Sequence, residues 1–435
     1  MATSNSIITM RRHDLDNLRS FLTGLVVVHH TSTSYGGPGQ GTYLSALVAT
    51  ASPASTMPLL ALNALDQSFF MGLFFWISGR VSAQSLQRAD EASRTRWGFV
   101  RSKLLRLGLP SVVYTLALQP IELVAALPSW ELAAVRRRLV EYYSTLNGIR
   151  GPVWYTANLL LLDVAAALMA PNQARRGASA KEPTPTTDGS APEELPFWYD
   201  AARRWGWLGV AGASFLVRLR YPVGEVIESL WLQPAHAPQY VFAYAMGFAS
   251  PGLETTFTGP CTPGHALPGR ASGAGRRLVA AVLATLAAFP LIWLPRLFGP
   301  AGAATQGLGL ASFFGGWNPY ALLYAVWNEL SFVLVGPALM AYFAEARSAP
   351  AQSALFQAKN SYGAFLMHMI VSVLVERALD RVLVSSPAAA LIASAAWRSC
   401  GMVVMTVAAG ALNVAGSFAS ARFLLDSFPI LRRIV

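Results

Sequence analysis

Charge is what this sequence most lacks. Only 13% of its 435 residues are Asp, Glu, Lys or Arg, about half the share in an ordinary soluble domain. That excludes a chain held in solution by a polar surface. Cysteine is almost absent too. Cys261 and Cys400 stand far apart, with no metal or redox spacing, and they say nothing about a disulfide framework. No internal repeat stands out, which argues against a transporter built from two related halves. The first eighteen residues are polar and carry Arg11 and Arg12. No cleavable leader is therefore expected, and the first helix is expected to act as its own anchor.

What remains is strongly apolar. Hydrophobic residues make up 54% of the chain, and the mean hydropathy is +0.41. The class is an all-α, polytopic transmembrane helix bundle. Apolar runs place about ten spans at 16–34, 58–79, 102–127, 152–170, 205–219, 237–250, 278–295, 321–343, 362–383 and 397–421. The 12 tryptophans suit interfacial belts. A net charge of +11 is the sign of basic residues gathered in cytoplasmic loops rather than of nucleic-acid binding. Ten spans with a cytosolic amino terminus put about twice as many basic residues inside as outside. The run Arg136-Arg137-Arg138 is the exception. Residues 171–196, rich in Pro, Ala, Ser and charge, read as a disordered cytoplasmic loop. Residues 297–318 read as a re-entrant or interfacial piece. The chain is expected to form one membrane domain over 1–435.

The polar residues inside the apolar runs carry the functional signal, because a charge or titratable ring in hydrocarbon costs a few kcal/mol unless it faces a bundle interior or a wet cavity. In the first span, Arg19 and His30 are eleven residues apart. Eleven residues make about three turns, so the two share a face with ~16 Å between them along the axis. His29 is turned ~100° away. Asp16 sits beside Arg19 at the mouth, and Thr31, Ser32, Thr33 and Ser34 keep the far end polar. Lys103 and Arg106 share a face at the start of the third span, with Arg101 less well aligned. These three either bind an anion or anchor the helix in the cytosolic headgroups. Glu329 lies in an otherwise apolar span and needs a cation, a proton or a hydrogen-bonded partner. His368 reads either as a satisfied core histidine or as a direct participant. His13, His236 and His265, in loops or at span ends, receive no role.

Several blocks follow one another along the chain: Leu15-Asp16-Asn17-Leu18-Arg19 with ten residues and then His30; Phe70-Met71-Gly72-Leu73-Phe74-Phe75-Trp76-Ile77-Ser78-Gly79; Phe99 to Pro110; Gly151-Pro152-Val153-Trp154-Tyr155; Tyr221-Pro222-Val223-Gly224; Gln239-Tyr240 to Gly247; Trp327-Asn328-Glu329-Leu330-Ser331-Phe332; and Ser361-Tyr362-Gly363 to His368. In this order they resemble the acyltransferase-3 family of integral membrane acyltransferases, and in particular its fungal members. The Arg-x10-His spacing matches that family's signature.

The resemblance implies an O-acyltransferase of secretory-pathway membranes. It moves an acyl group, acetyl first among the candidates, from acyl-CoA to a hydroxyl of a carbohydrate or lipophilic metabolite. No tightly bound cofactor or metal is implied. His30 would be the general base. Arg19, too far along the helix to touch the same atom, would hold phosphate at the mouth or orient Asp16. Glu329 would either partner an arginine or His30 or serve as a structural inter-helix hydrogen bond. Arg101, Lys103 and Arg106 would meet the CoA phosphates, and Asp16, His29 and His368 would shape the pocket. One departure is visible. Many relatives carry a glutamate shortly after the Trp of the fourth block, whereas Trp154 here is followed by Tyr155, Thr156, Ala157 and Asn158. A transporter or exporter with a polar path through the membrane is the alternative, since intramembrane Arg, Glu and His serve such paths as well.

Overall fold

A computed structural model describes residues 12–39, 41–91, 96–169, 196–250, 273–297, 311–385 and 392–433. The proposed 171–196 loop and most of the 297–318 piece lie outside these residues. The described chain is helical throughout and holds no strand, with one isolated bridge between Ile227 and Leu232.

In chain order the helices are α1 (His13–Ser34), α2 (Pro53–Glu91), α3 (Arg96–Ala125), α4 (Leu132–Ser144), α5 (Trp154–Met169), α6 (Phe197–Arg218), α7 (Ala237–Phe248), α8 (Gly273–Leu297), α9 (Pro319–Ala346), α10 (Ala358–Ser385) and α11 (Ala395–Ser427). Each stretch expected to span corresponds to one of them. Among the described residues, six are long and apolar enough to cross a membrane: α2, α3, α5, α9, α10 and α11. The protein is a multi-pass membrane helix bundle. α7, with 12 residues, rises only ~18 Å, well short of a ~30 Å hydrocarbon layer. α4 is amphipathic and was not expected as a span.

α1 sits at the centre, packed on α2, α9, α10 and α11. Its leucines and valines at 18, 22, 26 and 27 are buried among these neighbours. Its start is fixed to α10 by the Ser20–Ser361 hydroxyl pair at 2.9 Å. Asn17 Nδ2 donates to the carbonyls that follow α9, Arg347 O at 2.7 Å and Ala349 O at 2.8 Å. The aromatic block of α2 fills the core: Phe75 stacks on Tyr240 of α7 with centroids 4.9 Å apart and meets Tyr155 edge-on. Where these helices meet lipid there is no water to expel, so close packing and interhelical hydrogen bonds hold them together.

α3 is not a plain helix. It widens into π turns at Leu104–Gly108 and Tyr114–Leu118, next to Pro110 and Pro120. Such turns absorb the hydrogen bonds that proline cannot make.

Candidate functional site

A cavity of about 870 Å³ opens at the end of the bundle where α1 finishes. Its wall is assembled from the ends of α1, α2, α3, α9 and α10, one face of α4, the Gly151–Val153 turn and the 223–236 loop. Two backbone features shape the rim. Gly151 takes φ +70, with the Gln119 side chain against it. Trp231 takes φ 51 and lies under the Arg150 guanidinium, 4.5 Å from it. Tyr142 of α4 donates to the Thr115 carbonyl at 2.6 Å. Burial pushes this phenol up to about 12, so it stays a donor at neutral pH.

His29 and His30 both line the cavity. The His30 ring lies 5.2 Å from that of His368, tilted by 41°. His368 comes from α10 and is fully buried. Its Nδ1 is 2.6 Å from the Phe365 carbonyl. A carbonyl only accepts, so Nδ1 carries the proton, and in the neutral tautomer this leaves the lone pair at Nε2. That Nε2 and His30 Nδ1 are buried with no hydrogen-bond partner among the described residues. His29 turns towards α2, 5.1 Å from the Phe70 ring and 3.8 Å from the Asp66 carboxylate. At 3.8 Å this is longer than a hydrogen bond. The α1 spacing, 3.6 residues per turn, is what sends the adjacent histidines to different neighbours.

Two carboxylates that the sequence reading passed over stand here. Asp66 is one. Glu122 is the other: it lines the cavity, is fully buried, and accepts hydrogen bonds from Thr42 and from Tyr114, the latter at 2.9 Å. No acidic residue follows Trp154 closely, but Trp154 and Glu122 face the same cavity.

The remaining expected site residues lie elsewhere. Glu329 is buried on α9 behind the cavity wall. Its Oε1 accepts from Asn328 at 3.0 Å and from Ser214 at 3.3 Å, and its Oε2 accepts from Gln239 at 3.1 Å. Arg19 and Asp16 stand at the opposite end of α1 and do not line the cavity. Arg101 and Arg106 are exposed at that same end, a level fixed by the bond from Tyr362 Oη to the Arg106 carbonyl at 3.2 Å. Lys103 separates from them. Its Nζ meets Asp163 of α5 at 2.9 Å and Ser82 of α2 at 2.7 Å. Tyr244 completes this polar knot by donating to Asp163 at 2.7 Å.

A further cluster was not foreseen. His236, in the turn before α7, lines the cavity and is 1% exposed. Burial, with help from the neighbouring Arg218 charge, pushes its imidazole down to about 3, so it is neutral. Arg218, the last residue of α6, is 0% exposed, and its guanidinium lies 4.8 Å from the centroid of the cavity-lining Tyr324 ring.

The chain compares with known proteins in one respect. A family model described as an acyltransferase domain matches residues 12–421. No curated protein and no solved structure matches it.

Proposed function

The chain belongs to the acyltransferase-3 family, and from that premise we propose an O-acyltransferase that moves an acyl group, acetyl in the simplest case, from acyl-CoA to a hydroxyl of a carbohydrate or lipophilic metabolite. The observation that carries this reading is the His30–His368 pair, whose His30 member lines a large cavity walled by both apolar and polar side chains. His30 takes the proton of the acceptor hydroxyl as its oxygen attacks the thioester carbonyl. The carbon–sulfur bond then breaks, and the proton passes to the departing CoA sulfur. An imidazole suits both steps because it exchanges a proton near neutral pH. His368, locked by the Phe365 carbonyl, keeps its lone pair beside His30 and favours the charged ring that forms during attack. Amide and hydroxyl groups in the wall, including Gln67 and Thr33, suit a hydroxylated acceptor.

The donor is assigned to the other end of the bundle. Arg101 and Arg106 are exposed there, with Arg19 nearby on α1, and the CoA phosphates suit this basic rim. The pantetheine arm then runs along α1 to bring the thioester to His30. Lys103 is given a different role, since its ion pair with Asp163 ties α3 to α5. With the bias of basic residues in support, the donor end is taken as cytosolic and the cavity mouth as lying on the far side of an endoplasmic-reticulum or other secretory membrane.

Thermal unfolding of the detergent-purified protein tests the donor half. Acetyl-CoA at about a hundred times its dissociation constant is expected to stabilise by ~2.7 kcal/mol, and the shift is expected to vanish in R101A/R106A. No shift with acetyl-, succinyl- or longer acyl-CoA in well-folded protein contradicts it.

A further inference from the structure

Arg218 is a buried cation whose hydrogen-bonding capacity is unused. Nε, Nη1 and Nη2 have no hydrogen-bond partner among the described residues, and neither do Nδ1 and Nε2 of His236. Glu329 contributes attraction at a distance, but its oxygens are taken by Asn328, Gln239 and Ser214. A guanidinium in such surroundings is retained where something completes it. We propose that Arg218, with His236 and Tyr324, forms a carboxylate-recognising subsite in the wall of the cavity, taking a carboxylate carried by the acyl group or by the acceptor.

The chemistry selects this class. The guanidinium presents a planar fork that matches two carboxylate oxygens. Tyr324 lies against that fork at 4.8 Å and sets its plane. Neutral His236 supplies one further N–H. A dianionic phosphate fits less well, because one cation is the whole positive charge of the cluster and Glu329 stands behind it. His236, Tyr240 and Tyr324 face the same cavity as His30, and Arg218 lies buried behind them, so an occupant meets the guanidinium past the His236 and Tyr324 rings. The inference rests on reading that chamber as the place of acyl transfer.

Binding to purified full-length protein in detergent tests it, in two arms. One compares succinyl-CoA with acetyl-CoA. The other compares 3-hydroxybutyrate with 1,3-butanediol, its neutral counterpart. Wild type is expected to prefer the carboxylate probe in at least one arm by roughly tenfold or more, the scale of a hydrogen bond to a charged group. R218Q is expected to abolish that preference, while R218K and H236Q reduce it. Preference in the first arm puts the carboxylate on the acyl group, and in the second on the acceptor. If R218Q fails to fold, R218K and H236Q decide by the same loss. No preference in wild type, or one unchanged in the variants, overturns the proposal. Loss of all acyl-CoA binding with an intact preference for 3-hydroxybutyrate overturns the donor reading and leaves this one standing.

Discussion

His236 and Arg218 show at the residue scale how far position in the sequence misleads. Each stands at a helix end, where histidine and arginine ordinarily face water or headgroups. Here the chain folds back over them. Val223 N donates to the Phe314 carbonyl at 2.8 Å and Gly316 N to the Arg218 carbonyl at 3.3 Å, and this cover buries both side chains. A pH dependence follows. His236 titrates near 6.5 when the chain is unfolded and near 3 when folded, so the unfolded chain binds the extra proton in between. The contribution of neutral His236 is complete above about pH 6.5 and is lost as pH falls towards 3. Across that window the wild-type melting temperature is expected to fall more steeply than that of H236Q, and parallel curves contradict it. His30 and Glu329, by contrast, were legible at once, because a polar residue within an apolar run has few cheap explanations. The partners that give them meaning, His368 for one and Ser214, Gln239 and Asn328 for the other, come from distant stretches that no local pattern connects.

At the scale of elements, hydropathy located the helices and packing decided their details. α2 and α7 cross so closely that a Cβ on Gly79 would run into the Tyr244 carbonyl, and one on Gly247 into that of Trp76. These contacts are with backbone, which cannot swing aside as a side chain does. At Gly209 and Gly212 on α6 a Cβ would meet nothing within 4 Å. Alanine at Gly79 or Gly247 is therefore expected to lower the melting temperature in detergent sharply, by the cost of overpacking, typically about 1–3 kcal/mol. Alanine at Gly209 or Gly212 is expected to be neutral or stabilising by about 0.5–1 kcal/mol. Equal effects at both pairs contradict the crossing. The apolar run 58–79 marks a spanning helix but does not name its partner. The π turns of α3 were likewise invisible, since Pro110 and Pro120 signal disruption without saying how the helix absorbs it. Lys103 illustrates the cost: its three-residue spacing from Arg106 suggested a shared anion site, whereas the actual geometry sends it to Asp163.

At the scale of the whole molecule, the bundle has two unlike ends joined by α1. One carries the exposed basic residues Arg101 and Arg106, and the other carries the cavity with His29, His30 and His236. The ~16 Å between Arg19 and His30, readable from helix geometry alone, is the span the proposed mechanism asks a donor to cover. Belonging to an acyltransferase family also answers the exporter alternative at the level of class, while the donor and acceptor belong to the proposal. The most direct test is CoA release from acetyl-CoA by membranes carrying the wild type, H30A or H368A, each at matched expression and with a panel of hydroxylated acceptors. Acceptor-stimulated release is expected in the wild type. It is expected to fall by about 10²–10⁴ in H30A, the share of a general base, with a smaller loss in H368A. Wild-type turnover by H30A would contradict the account.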